Sequence, residues 1–559
     1  MATKSPLKPV QKKIPWRRRT TLLLLGVLGV SLLLNGMGLR WGLPNYYGWC
    51  NDSIAGLTSV FQRERLLETW VHHYPRMQFL VNGLAYEPLL RAWAEAPPDR
   101  GGPDIRPDAL SYNLDLRRGS ILVFSSFVLT ALMGTGAVLA VFLAGRALFR
   151  DDLAAFLAAL ALACVAEFVF YSHTGNVDVP AVFWYSWALY CAIRAGQARK
   201  LRYFFGAGLF SALGVGSKDP TIGFVIGLGL ALCVLELGRA RKAGKSWPTA
   251  VFSLLGPGLL TFFVIFVLVF GILNNFFTNP QAFFQRMSGW GNDSPTMQTY
   301  VMVKNSLDGQ ITLLGITGKA LYFAMGWPLL IMITAGLIRH IRRQRVVLWF
   351  TLLPMLVYYL VVIMRIGFSY PRFFLPGIAG LALLAGSAGA AWWRWARIPK
   401  LARAGVLLGL FGLTFLYALG SDLEMVRDSR YRTIAWFERN VPRETTVATL
   451  MPQSYGPNLK AAGFKNYLYP WQPSAGTFRP EALPPYLVVC TRGLLWGPAE
   501  PFFRELRAGR TPYREVESYG RLYLYPKASI FAVAAWGVEN IRQPNPPIVI
   551  YALSGAPRI

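Results

Sequence analysis

Long apolar segments alternate with short basic ones over the first three quarters of the chain. A helix needs about 20 mostly apolar residues to cross the hydrocarbon core of a bilayer, so these segments are candidate membrane spans. The pattern predicts about eleven of them, at residues 20–39, 120–145, 153–171, 179–195, 203–217, 220–237, 249–273, 319–338, 346–364, 372–391 and 404–420. The fifth and sixth are short and are separated only by Lys218-Asp219-Pro220.

Basic segments between the predicted spans set the orientation of the chain. They are Arg146–Arg150, Arg199–Arg202, Arg239–Lys245, Arg339–Arg345 and Arg394–Arg403. With a cytoplasmic N-terminus and eleven spans, all of them fall on the cytoplasmic side, as the positive-inside rule expects. The basic N-terminus and the first apolar segment lack a small-residue cleavage site, so we expect the first span to be retained. The sequence predicts a multi-pass protein of the inner or plasma membrane.

Two polar regions on the predicted extracytoplasmic side are long enough to form a site. The first is the loop at about 40–119, in which Ser53–Trp70 and Arg76–Ala94 have apolar residues near helical spacing. We expect two interfacial helices that form either a lateral gate for a lipid-borne molecule or a structural cap. The second region, 421–559, alternates helix-like sequence with β-rich runs at 446–450, 486–489, 522–525 and 548–551, and predicts an extracytoplasmic α/β domain. The fold class is therefore a polytopic α-helical membrane domain, 1–420, followed by this α/β domain.

The composition agrees with this interpretation. Of the 559 residues, 54% are hydrophobic, which is typical of a polytopic membrane protein and not of a soluble enzyme. A net charge of +29 would suggest nucleic acid in a soluble protein, but much of the excess lies in short loops beside the spans. We therefore expect no nucleic-acid partner, and a smaller share of the charge is available to attract anionic lipid or phosphate.

Two acids near the predicted extracytoplasmic surface are candidates for catalysis. Asp52 lies soon after the first span, where a carboxylate serves either as a general base or as a helix cap. Asp178 lies in the turn Ser172–Pro180 between two apolar spans, and acids at membrane depth are costly and usually functional. Two converging acids suit acid–base work or a divalent cation, Mg²⁺ or Mn²⁺. The pattern leaves a metal at Asp52 and Asp178, or no cofactor at all, both open.

Positive charges near the same surface are candidates for binding an anion. Lys218 and Arg372 lie at the predicted outer ends of spans, and Arg63 and His73 lie in the first loop. Fixed positive charges there would stabilise the phosphate of a lipid leaving group. The alternative for each is snorkelling toward lipid headgroups. Candidate contacts to an acceptor or other substrate are the neighbouring residues His72, Tyr74 and His173.

In their order along the chain, these elements resemble the glycosyltransferase C superfamily. The similarity is greatest to the branch with the protein O-mannosyltransferases, the lipid A aminoarabinose transferase and other phospholipid carrier-dependent glycosyltransferases. It rests on Leu43–Tyr47 with Asn51-Asp52-Ser53, His73-Tyr74-Pro75, Ser172–Pro180, Gly214–Thr221, Tyr370–Pro376 and Asp428–Pro442. Ser53 stands where the family has the glutamate of an Asp-Glu pair, so a metal or acceptor contact of that glutamate has no equivalent at this position.

The resemblance implies inverting transfer of a sugar from a polyprenyl-phosphate donor to an acceptor hydroxyl on the extracytoplasmic side. Asp52 would deprotonate the acceptor, and Asp178 would orient it or share a cation with Asp52. Lys218, Arg372 and His73 would hold the departing lipid phosphate. The expected partners are the polyprenyl-phosphate-linked sugar, membrane lipid, and an acceptor that is a protein, a lipid or a glycan. Two alternatives stay open: a lipid or solute transporter, against which the missing internal repeat argues, and a non-catalytic membrane subunit of the same fold.

Overall fold

The computed structural model describes residues 18–46, 48–50, 52–56, 58–60, 74–94, 115–288, 303–343, 345–450, 456–468, 484–490, 500–520 and 545–557. Most of the predicted helix Ser53–Trp70 lies outside these residues, as does the predicted strand at 522–525. The described residues form a helical bundle, which ends near residue 426, and a C-terminal region, which contains a small sheet.

The helices of the bundle follow the apolar segments of the sequence. They are α1 Arg18–Gly36, α2 Met77–Ala94, α3 Leu116–Phe149, α4 Asp152–Ala163, α5 Ala166–Ser172, α6 Asp178–Ala198, α7 Leu201–Ser217, α8 Ile222–Lys242, α9 Trp247–Phe252, α10 Pro257–Leu273, α11 Pro280–Ser288, α12 Leu307–Arg343, α13 Arg345–Tyr358, α14 Leu375–Trp393 and α15 Lys400–Val426. Short 3-10 turns occur at Asp219–Thr221, Ser253–Leu255 and Pro371–Phe374, and α13 continues through a π-helical turn, Tyr359–Ile363, into Met364–Ile366. Every predicted span therefore contains helix.

Seven helical segments among the described residues are long and apolar enough to cross a membrane. The pairs α4–α5 and α9–α10, bent by 64° and 45°, raise the number to nine if each pair is one span. Helices α6 and α7, which coincide with two further predicted spans, pack against each other inside the bundle. The prediction of a polytopic helical membrane protein is confirmed, whereas the number eleven stays a prediction.

Helix α14 lies at the centre of the bundle and is almost entirely buried. It is built largely from glycine, alanine and leucine, and small residues let helix backbones approach closely. A Cβ at Gly386 would lie 2.3 Å from the backbone oxygen of Ala154 on α4. Close packing of α14 against α4 thus requires glycine at this position.

The C-terminal region contains the predicted α/β structure. It comprises α16 Ser429–Asn440, α17 Glu500–Arg507, and the strands β1 Thr446–Thr449, β2 Lys465–Leu468, β3 Tyr486–Cys490, β4 Tyr513–Tyr519 and β5 Ile548–Leu553. The sheet order is β2-β1-β3-β5-β4; β1 is parallel to β2 and β3, and β5 is antiparallel to β3 and β4. One face of the sheet buries Val447, Val488 and Ile550 against Phe437 of α16. A division of the chain at residue 420 stays a prediction, and α15 itself ends at Val426.

Candidate functional site

The candidate site forms where four distant parts of the chain meet at one end of the bundle. Asp52 comes from the first loop, Asp178 begins α6, Lys218 follows α7, and Arg372 lies in the 3-10 turn before α14. Arg372 Nη1 donates to Asp52 Oδ2 at 2.7 Å, and Lys218 Nζ forms an ion pair with Asp178 Oδ1. The two acids and two cations predicted from the sequence therefore form two adjacent ion pairs.

Asp52 lies in a strained and firmly held part of the first loop. Its backbone φ is 64°, in the left-handed region that few residues other than glycine adopt. Just beyond it, the amide of Ile54 donates to the carbonyl of Gly175, in the turn between α5 and α6. The Asp52 side chain keeps 30% of its surface exposed. It is thus fixed by its neighbours but still open to a second molecule.

Asp178 is almost fully buried, and both of its carboxylate oxygens have a partner. Lys218 occupies Oδ1, and the side-chain amide of Asn176 donates to Oδ2 at 2.7 Å. The amide of Asp178 in turn donates to Asn176 Oδ1 at 2.7 Å. This local turn explains the sequence Asn-Val-Asp at the start of α6. Asp178 is arranged to hold Lys218 in place.

Aromatic rings surround the two cations. Lys218 Nζ lies 4.9 Å from the ring centre of Phe373, and the Arg372 guanidinium lies 5.8 Å from the same ring. Tyr171 and Tyr370 each lie 5.9 Å from Arg372. Burial lowers the pKa of the Lys218 amine from its ordinary value, and the carboxylate of Asp178 opposes that effect. The rings restrict water around the cations, which strengthens their attraction for an anion.

An ion pair that was not predicted from the sequence holds the turn that carries Lys218. Arg286 of α11 donates from Nη1 and Nη2 to the two oxygens of Asp219, at 2.8 and 2.9 Å. Its Nη2 also donates to Asn274 Oδ1 at 2.5 Å. The only signal in the sequence is the acid Asp219 directly after Lys218. Nothing in the pattern points to its partner 67 residues later.

Glu167 is a second buried group that was not predicted. Its side chain is fully buried on α5, and neither carboxylate oxygen has a hydrogen-bond partner among the described residues. It lies one helical turn before Tyr171, whose ring faces Arg372. The sequence did contain a signal for Glu167, because it is an acid inside the predicted span 153–171. Carboxylates within a membrane span are energetically costly and usually functional.

Two protonated groups flank Asp52. Burial raises the pKa of the Tyr74 hydroxyl and of the Cys50 thiol well above their ordinary values, and the negative charge of Asp52 adds to the effect. Both groups are therefore neutral at physiological pH. Tyr74, a predicted substrate contact, lies near Asp52 and retains a hydroxyl proton that it can donate.

The other predicted substrate and phosphate contacts are not part of this cluster as described. His173 is fully buried, and its Nε2 lies 3.9 Å from Asp422 Oδ1 on α15. Arg63, His72 and His73 lie outside the described residues. The roles of these four residues stay predictions.

A metal ion at Asp52 and Asp178 stays a prediction. No group of three or more histidine, cysteine, aspartate or glutamate side chains among them is arranged to hold an ion. The predicted metal ligands Asp52 and Asp178 instead face Arg372 and Lys218. Arg372 and Lys218 give this part of the site two positive charges, each next to a carboxylate.

A family model matches the part of the chain that contains half of the site. Residues 119–270 match the model described as dolichyl-phosphate-mannose-protein mannosyltransferase. The matched stretch includes Glu167, Asp178 and Lys218, whereas Asp52 and Arg372 lie outside it. The match confirms the resemblance to the glycosyltransferase C superfamily. Comparison with curated protein sequences gives no match.

Solved structures of ArnT and of a protein O-mannosyltransferase complex are similar to the chain at low identity. ArnT from Cupriavidus metallidurans bound to undecaprenyl phosphate is 14% identical, with a TM-score of 0.43, over 95% of this chain and 98% of that chain. The apo state of ArnT is 13% identical, with a TM-score of 0.41, over 96% and 98%. The Saccharomyces cerevisiae (S. cerevisiae) protein O-mannosyltransferase Pmt1-Pmt2 complex, bound to the sugar donor, is 14% identical, with a TM-score of 0.34. That match covers 46% of this chain and 34% of that chain.

Proposed function

We propose that this protein is an integral-membrane glycosyltransferase that moves a sugar from a polyprenyl-phosphate donor to an acceptor hydroxyl on the extracytoplasmic side. The observation that carries the proposal is the pairing of Asp52 with Arg372 beside the buried pair of Asp178 with Lys218. A base and two phosphate-binding cations are the groups that this reaction requires. The family match over residues 119–270 supports the same class of donor.

Asp52 is the general base in this proposal. Its carboxylate takes the proton of the acceptor hydroxyl, whose oxygen then attacks the anomeric carbon of the donor sugar. The new bond to the acceptor oxygen forms as the bond from the anomeric carbon to the phosphate oxygen breaks, which inverts the configuration. Asp52 is suited to this role because the backbone beside it is held at Ile54, while its side chain stays partly exposed.

Arg372 and Lys218 receive the leaving group. The electron pair of the broken bond departs with polyprenyl phosphate, and the charge developing on its oxygens lies next to two fixed cations. Arg372 also bonds Asp52 at 2.7 Å. A donor phosphate would compete for that guanidinium and weaken its hold on Asp52, so donor binding would also prepare the base.

Asp178 holds the Lys218 amine at the place where the phosphate would bind. Its two oxygens already bond Lys218 and Asn176, which suits a fixed anchor. Asp178 has two alternative roles in this proposal: it orients the acceptor, or it shares a cation with Asp52. No step described above depends on a metal ion.

The experiment is transfer from a panel of radiolabelled polyprenyl-phosphate sugars into membranes that contain the wild type, Asp52→Asn or Asp178→Asn. Asp151→Asn is the matched control, because Asp151 pairs with Arg394 in the turn between α3 and α4. We expect transfer by the wild type and the control, and a loss of about 10²- to 10⁴-fold for Asp52→Asn. Label in a protein, lipid or glycan fraction would identify the acceptor.

A folded Asp52→Asn protein that transfers sugar at the wild-type rate would contradict the proposal. Movement of a labelled lipid across the bilayer without covalent change would favour a transporter. Binding of polyprenyl phosphate by a wild type that never turns over any donor would favour a non-catalytic subunit.

A further inference from the structure

The C-terminal region grips the first loop a few residues before Asp52. The indole Nε1 of Trp41 donates to Asp428 Oδ2 at 2.9 Å, and Asp428 is fully buried where α15 gives way to α16. Arg430 bonds both oxygens of the same carboxylate, through Nε at 2.8 Å and Nη2 at 2.7 Å. The amide of Asn545 donates to Asp428 Oδ2 at 2.7 Å, which ties the start of β5 to this junction.

Arg430 also stacks on the first loop directly. Its guanidinium lies 3.8 Å from the ring centre of Trp49 and 5.4 Å from that of Trp41. The two indoles meet edge to face, with ring centres 6.0 Å apart. A desolvated guanidinium over a tryptophan face is among the stronger cation–π arrangements. Arg430 therefore joins the two ends of segment 41–49 to each other and to Asp428.

Two polar side chains of the C-terminal region also hold the first loop. The hydroxyl of Tyr431 accepts from the amide of Gly42 and donates to the carbonyl of Arg40, both at 2.8 Å. The side-chain amide of Asn458 donates to the carbonyl of Pro44 at 3.0 Å. These bonds engage backbone atoms of the loop, so they fix its path and not just one side chain.

The held segment leads directly to the catalytic carboxylate. Trp49 precedes Asp52 by three residues, which span at most about 10 Å of chain. On the other side, the amide of Ile54 is bonded to Gly175 in the turn before Asp178. Asp52 is thus suspended between the C-terminal region and the α5–α6 turn. Release of the Trp49 end would let the carboxylate drift from Arg372.

We propose that Arg430 and Tyr431 are positioning residues that fix the location of Asp52. The C-terminal region would then contribute to catalysis by holding the first loop in place. The inference rests on the proposed function, in which Asp52 is the base. A misplacement of about 1 Å at a reacting group can cost about 10²-fold in rate, even when the altered residue is far from the chemistry.

The test compares Arg430→Lys and Tyr431→Phe with two matched controls on the same helix and sheet. Arg432 lies 4.3 Å from the ring centre of Tyr519, whose hydroxyl donates to the carbonyl of Arg432. Arg432→Lys and Tyr519→Phe therefore remove the same types of contact within the C-terminal region alone. Tyr431→Phe loses only a hydroxyl, so it tests the proposal even if Arg430→Lys folds poorly.

Each protein is reconstituted in nanodiscs, and two quantities are measured. The first is hydrogen–deuterium exchange at the amides of residues 41–43, 45–46 and 48–50, which reports release of the loop without any substrate. The second is kcat and KM for a radiolabelled polyprenyl-phosphate sugar. We expect about tenfold faster exchange and about tenfold lower kcat for Arg430→Lys and Tyr431→Phe. We expect an unchanged donor KM, because Lys218 and Arg372 are untouched. Both controls should match the wild type.

Unchanged exchange in both variants would overturn the proposal, as would faster exchange with wild-type kcat. A rise in donor KM without loss of kcat would also overturn it, because it would assign the loop to donor binding. If the wild type transfers no sugar from any donor, the proposed function fails. Exchange in the variants still decides whether Arg430 and Tyr431 hold the loop.

Discussion

Replacing Arg286 by glutamine tests how firmly the Lys218 turn is held. Arg286 is 7% exposed, bonds both oxygens of Asp219 and also bonds Asn274. Loss of one partner of a buried ion pair costs about 3–5 kcal/mol, because the remaining charge stays in a poorly solvated place. Glutamine keeps one amide donor, so we expect a loss of about 3 kcal/mol in the free energy of unfolding, measured by denaturation in mixed micelles. We also expect kcat to fall, because Lys218 adjoins Asp219.

A double-mutant cycle isolates the pair itself. Asp219→Asn combined with Arg286→Gln removes both charges, so the double variant should be more stable than the sum of the single losses predicts, by about 1–3 kcal/mol. Arg510→Gln is the control, because Arg510 bonds Glu505 in the same two-pronged way at 2.6 and 2.8 Å but on an exposed surface. Its stability should equal that of the wild type. Wild-type stability of Arg286→Gln, or strictly additive single losses, would refute the reasoning.

Three further predictions concern the site. Burial lowers the pKa of Lys218, so wild-type kcat/KM should fall as the pH rises, with an apparent pKa below that of an ordinary lysine. Lys218→Arg should shift this fall to higher pH in a pH–rate profile. Glu167→Gln should keep the wild-type kcat and donor KM, because a carboxyl buried without a hydrogen-bond partner among the described residues favours its neutral form, which glutamine resembles; a loss of about tenfold in kcat would contradict this. Gly56→Ala should abolish transfer, because its Cβ would lie 2.2 Å from the backbone oxygen of Tyr46, whereas Gly83→Ala meets no atom within 4 Å and should not.

The hydrophobic pattern alone determined the spanning helices and some of the strands. Apolar segments such as 120–145 and 372–391 became α3 and α14 because a bilayer leaves a spanning segment little choice but helix. The β-rich runs at 486–489 and 548–551 became β3 and β5 because their side chains suit a buried sheet. These outcomes depend on neighbours along the chain, which the sequence displays directly.

The candidate site was visible in the sequence as a set of charges. Asp178 and Lys218 interrupt apolar segments, and Asp52 and Arg372 lie close to the ends of others. Charged residues at membrane depth have a free-energy cost and are usually functional. The sequence did not show which charges form ion pairs. Asp52 and Arg372 are 320 residues apart, and their contact depends on the packing of the bundle.

Only the tertiary structure identified the groups that support the site. Glu167, Arg286 and Arg430 lie on different helices. Each interacts with a residue that is remote in the chain: Glu167 with Arg372, Arg286 with Asp219, and Arg430 with Trp49. The sequence determined the elements because propensity and hydrophobicity act locally. The site was decided by tertiary packing, because ion pairs and cation–π contacts need atoms within a few ångströms, and only the folded chain brings them together.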